Sequence, residues 1–149
     1  AYLYALQYTK ERTQGSDASR LRDPTAPKVA IINHPDVRRM LMFMKSVSEG
    51  LRALLYYVGF CDDMVRSAED DQEREKYQDF IDILIPVCKA YGSDMGFRVC
   101  ETAIQVLGGY GYCQEHPVEQ FLRDCKIASI YEGTNGIQAL DLVGCCGRR

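Results

Sequence analysis

Histidine is scarce in this chain of 149 residues: only His34 and His116 are present, far apart and without ligand-like spacing to any cysteine. A zinc or other imidazole-bound metal centre is therefore not expected. None of the seven cysteines, Cys61, Cys88, Cys100, Cys113, Cys125, Cys145 and Cys146, pairs with another as Cys-x-x-Cys, and their number is odd. Neither a zinc site nor a disulfide framework is favoured. Most of them fall on apolar faces of helical patterns, where a free cysteine acts as a small hydrophobe, so a reducing compartment is expected. No apolar run reaches the roughly 18 residues of a membrane span, and no leader of charged, apolar and small regions opens the chain. Excess positive charge is also missing. The formal charge is −3, and Lys and Arg are scattered apart from short pairs such as Arg38-Arg39 and Arg148-Arg149. This leaves no electrostatic footprint for nucleic acid. A soluble, intracellular protein is expected, cytoplasmic or, in a eukaryote, of the mitochondrial matrix.

What is present is helical periodicity. With 46% hydrophobic residues the chain can bury one core, and a single domain over residues 1–149 is expected. Ala1-Tyr2-Leu3 enters directly into an amphipathic pattern, as in a piece cut from a longer protein. Leu3 and Leu6 mark the end of a helix that Lys10, Glu11 and Arg12 close. Residues 13–33, with Gly15, Pro24 and Pro27, form a long polar connection of the kind that is functional or disordered in compact domains. Val37, Met40, Met44, Val47, Leu51, Leu54, Val58, Cys61 and Val65 then alternate steps of three and four without a miss, and Leu41 and Leu55 widen the stripe as in a bundle helix. Pro35 suits its first turn, with Asn33 or His34 as the candidate cap.

After Glu69-Asp70-Asp71, a second long pattern runs from Tyr77 through Leu84, Tyr91 and Val99 to Leu107, and Pro86 inside it predicts a kink. Gly108-Gly109 stops it. A shorter helix follows Pro117 and ends at Glu132-Gly133, and Thr134 or Asn135 caps a last one through Ile137, Leu140 and Val143. Nothing alternates at period two. The expected class is all-α, an up-and-down bundle in which the seam of Val37, Met44, Leu51, Val58 and Val65 is buried against Leu84, Tyr91 and Val99.

Four places invite a functional reading. Tyr131-Glu132-Gly133-Thr134-Asn135-Gly136 sets an acidic side chain in a break between helices. A carboxylate at a helix C-terminus opposes the dipole, although a solvated helix-end residue is the plain alternative. If a ligand and Tyr131 exclude water there, desolvation makes Glu132 a stronger base. Gly108-Gly109-Tyr110-Gly111 permits close backbone approach to a phosphate, or is simply a helix cap and tight turn. It follows a helix rather than a strand, so the dinucleotide-binding fingerprint of α/β proteins does not apply. Arg12 is by default a solvated partner of a helical carboxylate, and Arg123-Asp124, on an amphipathic segment that lies between the two glycine-containing turns in the sequence, most simply forms an inter-helix salt bridge. The two turns and Arg123-Asp124 together read as pieces of one site.

In order along the chain, Ala103-Ile104-Gln105-Val106-Leu107-Gly108-Gly109-Tyr110-Gly111-Tyr112, His116 to Ile127 and Ile130-Tyr131-Glu132-Gly133-Thr134-Asn135-Gly136-Ile137-Gln138 resemble the C-terminal signature of the flavin-dependent acyl-CoA dehydrogenases. Glu11-Arg12-Thr13-Gln14-Gly15 resembles the family's earlier Glu-Arg-x-Gln segment. The resemblance implies that Glu132 removes the α-proton of an acyl-CoA thioester while the β-hydrogen leaves as hydride to FAD. It implies that the Glu132 amide hydrogen-bonds the thioester carbonyl and that Gly133 lets the acyl chain pass. It assigns Thr134 and Gly136 to the neighbourhood of FAD. Arg12, Gln14, Gln105, Gly108 and Gly109 are assigned to the pyrophosphate side of an FAD bound mainly by a neighbouring subunit. A homo-oligomer and an electron-transfer flavoprotein as acceptor are implied as partners. Gly15 directly follows Gln14 where many members have Phe-Gly, His34-Pro35 stands for His-Gln, and Asn135-Gly136 for Ser-Glu. These variants and the long loop resemble the branch that includes methylthiopropanoyl-CoA dehydrogenase. The competing reading is a non-catalytic helical oligomerisation module that keeps the family scaffold.

Overall fold

A computed structural model describes residues 1–20 and 22–146. The side chains of Cys145 and Cys146 and the pair Arg148-Arg149 lie outside the described residues. Among the described residues there are five α-helices and no strand: α1 (Tyr2–Glu11), α2 (Pro35–Ser67), α3 (Asp71–Leu107), α4 (Val118–Lys126) and α5 (Asn135–Cys146). The all-α expectation is met, and the chain gathers into two compact units. One comprises Ala1–Ser48 with Phe97–Asp124, the other Glu49–Gly96 with the chain from Cys125 onward.

The helices begin and end for local reasons. Pro35 opens α2 at the position where a missing N–H costs nothing, and the His34 carbonyl accepts the Arg38 N–H at 3.0 Å. This places His34 at the N-cap position, while its ring is engaged with the Gln14 carbonyl. Asp70 caps α3, its carboxylate oxygens each 3.3 Å from the amides of Gln72 and Glu73. The helix runs on through a buried Pro86. It stops where Gly108 adopts φ +63°, the left-handed conformation that glycine takes without a Cβ penalty.

The first unit holds a dense core. Ala5 of α1, Met40, Leu41, Met44 and Val47 of α2, Val99, Ala103, Val106 and Leu107 of α3, and Val118 of α4 are all buried. Met44, Ala103 and Val118 sit at or near zero exposure. An antiparallel bridge between Thr13 and Ala30 ties the exit of α1 to the entry of α2.

In the second unit α2 and α3 are joined by only residues 68–70, a connection that favours antiparallel neighbours. Leu51 lies against Gly92, where a Cβ would sit 3.4 Å from its methyl. Cys61 and Ile81 are buried, whereas Leu51, Val58 and Val65 are part-buried. Two sequence expectations need correction: Tyr91, placed in the buried partner face of α3, is 45% exposed, and Leu55, placed on the widened stripe, is 51% exposed. Both belong to a larger set of exposed apolar side chains in this unit, with Tyr56, Phe60, Ile85, Leu140 and Val143.

Candidate functional site

The first unit carries a cavity of about 380 Å³ lined by Tyr8, Arg12, Gln14, Gly15, His34, Gln105 and Gly108, among others. Its wall is set by backbone pairing. Arg12 leaves α1 in extended conformation while its N–H still reaches the Tyr8 carbonyl at 2.9 Å. Gln14 N–H donates to Val29 at 3.0 Å, Val29 N–H to Gly15 at 2.9 Å, and Ile31 N–H to Arg12 at 2.9 Å. The His34 ring is 2.7 Å from the Gln14 carbonyl through Nε2, the nitrogen that donates. It also packs 3.4 Å from where a Gly15 Cβ would stand, and Gly15 itself has φ +71°. A larger residue at 15 would meet both obstacles.

Arg12 has no carboxylate partner among the described residues, contrary to its default reading. Its guanidinium lies 5.3 Å from the centroid of the Tyr110 ring, within the range of a cation–π contact. Tyr110 is seated in turn against His116, with ring centroids 5.6 Å apart, and His116 Nδ1 is 2.7 Å from the Tyr4 hydroxyl. Tyr110 reaches this place because the turn Gly108–Tyr112 folds tightly back on α3. A Cβ on Gly111 would come 2.8 Å from the Ile104 carbonyl oxygen. A cation fixed on a ring, beside an open, glycine-edged cavity, fits a pyrophosphate-like anion.

The second unit presents the other predicted turn. After α4 a short 3-10 turn, Ile127–Ser129, leads to Tyr131, whose N–H still reaches the Ile127 carbonyl at 3.1 Å. Glu132 then adopts φ +54°, unlike every other described non-glycine residue, and Gly133 follows at φ +93°. Thr134 immediately precedes α5, its carbonyl accepting Gln138 N–H at 3.0 Å. Gln138 Nε2 donates back to the carbonyls of Gly133 at 3.3 Å and Glu132 at 3.4 Å. A Cβ on Gly133 would fall 2.7 Å from that nitrogen. The Glu132 side chain is exposed, and its backbone N–H donates to no acceptor among the described residues. Thr134 and Gly136 are exposed at the start of α5, and Asn135 Oδ1 is buried without a hydrogen-bond partner. An unmatched acceptor there suits a donor on a bound group.

The structure thus brings Arg12, Gln14, Gln105 and Gly108 to one cavity, and Glu132, Gly133, Thr134 and Gly136 to one turn. Gly109 is exposed in the intervening 3-10 turn and does not line the cavity. Arg123 and Asp124 do not form the inter-helix bridge. Arg123 pairs with Glu119 at 3.0 Å and Asp124 accepts from Gln120 at 2.7 Å, both at i,i+4 spacing within α4. A helix offers those partners at once, whereas a bridge to another helix must also order two long side chains. The cysteines behave largely as core atoms: Cys61 and Cys100 are buried and burial pushes the Cys88 thiol up, although Cys113 is exposed. Among the described residues no group of His, Cys, Asp and Glu could hold a metal ion. Sequence reasoning passed over Tyr4 and Tyr8, and it named His34 and His116 without their partners here, the Gln14 carbonyl and the Tyr4 hydroxyl. Tyr4 and His116 are 112 positions apart, and no local pattern announces such a pair.

A family model described as Acyl-CoA dehydrogenase, C-terminal domain, matches residues 15–143. The chain is 52% identical to butyryl-CoA dehydrogenase of Syntrophomonas wolfei over 95% of its own length and 23% of that protein's. It is 40% identical to 3-methylmercaptopropionyl-CoA dehydrogenase of Ruegeria pomeroyi over 97% of its length and 24% of that protein's. In three dimensions it resembles the butyryl-CoA dehydrogenase of Megasphaera elsdenii with a TM-score of 0.71 and 28% identity, covering 99% of this chain and 32% of that one. The chain therefore spans about a quarter of the length of the curated relatives it matches.

Proposed function

The chain belongs to the acyl-CoA dehydrogenase family, and we propose that it is the C-terminal helical domain of a longer flavoenzyme that oxidises an acyl-CoA thioester between its α- and β-carbons. The short span relative to its relatives supports a part rather than a whole. The observation that carries the reading is the turn at Glu132. Two successive left-handed residues lift an exposed carboxylate out of the helical ladder and leave the amide of the same residue without an acceptor. One residue thus offers a base for the α-proton and a donor for the thioester carbonyl. Removing the proton develops negative charge on that oxygen, so a donor already aimed at it lowers the barrier.

FAD, when bound, supplies the acceptor for the β-hydride. The residues that would hold it are Arg12, Gln14, Gln105 and Gly108 at its pyrophosphate side, and Thr134 and Gly136 near the reacting end. Arg12 neutralises pyrophosphate charge and Tyr110 keeps its guanidinium in place. Gly133 leaves room for the acyl chain beside the backbone. The exposed apolar side chains of the second unit support a homo-oligomer in which FAD sites are shared between subunits. An electron-transfer flavoprotein is the proposed electron acceptor. A non-catalytic module would require neither the carboxylate nor the strained backbone that presents it.

The test is acyl-CoA-dependent bleaching of flavin absorbance in the complete enzyme. Bleaching is expected in the wild type and is expected to be lost in Glu132→Gln with flavin still bound. Failure of the wild type to bleach with any acyl-CoA would refute the reading. The 149-residue chain alone, with added FAD, is expected to turn over no acyl-CoA.

A further inference from the structure

The Glu132 turn sits in a conformation that residues with side chains rarely adopt, and such a conformation persists only where neighbours over-determine it. On its C-terminal side the neighbour is Gln138, whose amide holds the carbonyls of Glu132 and Gly133. On its N-terminal side the neighbour comes from a distant part of the same unit. Lys89, part-buried on α3, donates from Nζ to the carbonyl of Ala128 in the 3-10 turn that ends α4. The same ammonium lies 5.2 Å from the centroid of the Tyr131 ring. One cation therefore grips the chain at 128 and at 131, the residue immediately before the carboxylate.

We infer that Lys89 is a positioning residue for Glu132, fixing the approach to the turn from α3 as Gln138 fixes its exit. The inference rests on Glu132 being the base. The ammonium suits the task for two reasons. It satisfies a carbonyl at the end of a helix, where no following turn supplies an N–H and a cation is favoured. It also faces the ring while its long stem spans the gap from α3, so the position of Tyr131 is set from outside the turn. Loss of the grip would leave the carboxylate present but loosely aimed, and misplacement on the order of 1 Å slows a reaction by about 100-fold.

The experiment compares Lys89→Met, Lys89→Gln, Lys89→Arg and Glu132→Gln in the complete flavoenzyme, with butyryl-CoA as the probe substrate. Flavin content and circular dichroism report folding, and anaerobic rapid mixing reports flavin reduction. Lys89→Met and Lys89→Gln are expected to keep flavin and to bind butyryl-CoA within about threefold of the wild type. Their flavin reduction is expected to slow by about 10- to 100-fold. Lys89→Arg keeps a cation and its donors and is expected to recover most of the rate. In a Glu132→Gln background Lys89→Met is expected to add little, because both act on one step. Reduction near the wild-type rate in Lys89→Met or Lys89→Gln, with Glu132→Gln inactive, would overturn the role of Lys89 while leaving the base in place. A Lys89→Arg rate as low as that of Lys89→Met would count against it too. A wild-type rate in Glu132→Gln would instead remove the base assignment itself.

Discussion

Replacing Gly111 by alanine tests how the glycine turn builds the cavity. At most exposed positions outside the left-handed region, Gly→Ala stabilises by about 0.4–1 kcal/mol, because the unfolded chain loses freedom. At 111 the added Cβ would stand 2.8 Å from the Ile104 carbonyl oxygen and 2.9 Å from its Cα. Both are backbone atoms of α3 that no rotamer change can move, so the cost is that of an overpacked core, about 1–3 kcal/mol. A Cβ on Gly109 would meet no heavy atom within 4 Å, and its φ is not left-handed, so Gly109→Ala should be neutral or slightly stabilising. Gly108 also has open space but φ +63°, and its alanine variant should lose about 1–2 kcal/mol through the backbone alone. Urea unfolding of the three variants, compared at constant m, should rank Gly109→Ala above Gly108→Ala and Gly111→Ala. Because Gly111 also sets Tyr110 against Arg12, its variant should in addition weaken FAD binding. A Gly111→Ala protein as stable as Gly109→Ala would show that the close approach to Ile104 does not constrain the turn.

Other outcomes follow from single contacts. Met44→Ala removes a side chain of zero exposure from the first unit's core and should cost about 2–5 kcal/mol by denaturant unfolding. Arg12→Ala in the complete enzyme should raise the FAD dissociation constant by about 10- to 100-fold, the equivalent of one hydrogen bond to a charged group, as read by flavin titration. The Thr25 hydroxyl, and after it Arg20, holds the Asp23 carboxyl below its ordinary value of 3.8. A lowered folded value means that this loop contact is fully present above 3.8 and is lost as pH falls through the lower value. Thr25→Ala should therefore move the Asp23 midpoint upward in a carboxyl-resolved NMR titration.

Helix existence was legible because it depends on periodicity and on local stop signals. The three-and-four spacing from Val37 to Val65, Pro35 at a helix start and Gly108 at a helix end each carry their meaning within one or two turns. The Glu132 break was legible for the same reason, since Glu-Gly between apolar periods cannot continue a helix cheaply. What escaped depends on which partner wins a side chain. Arg123 found Glu119 one turn away rather than a neighbouring helix, and Arg12 found a tyrosine ring rather than a carboxylate. Tyr91 matched the helical period of the core yet stands exposed, because period alone does not say whether a second surface arrives to cover the stripe. Lys89 and His116 act on residues 39 and 112 positions away, distances over which only the folded chain decides.

The central claim, that Glu132 takes the α-proton, is tested most directly by isotope exchange at the substrate. The complete enzyme is incubated anaerobically in water with acyl-CoA carrying deuterium at the α-carbon, and its loss to solvent is followed by mass spectrometry. Wild-type enzyme should wash out the label, and Glu132→Gln should do so about 100-fold more slowly or less, the contribution expected of a positioned general base. Washout at the wild-type rate in Glu132→Gln, with FAD and substrate bound, would contradict the account and place the base on another residue.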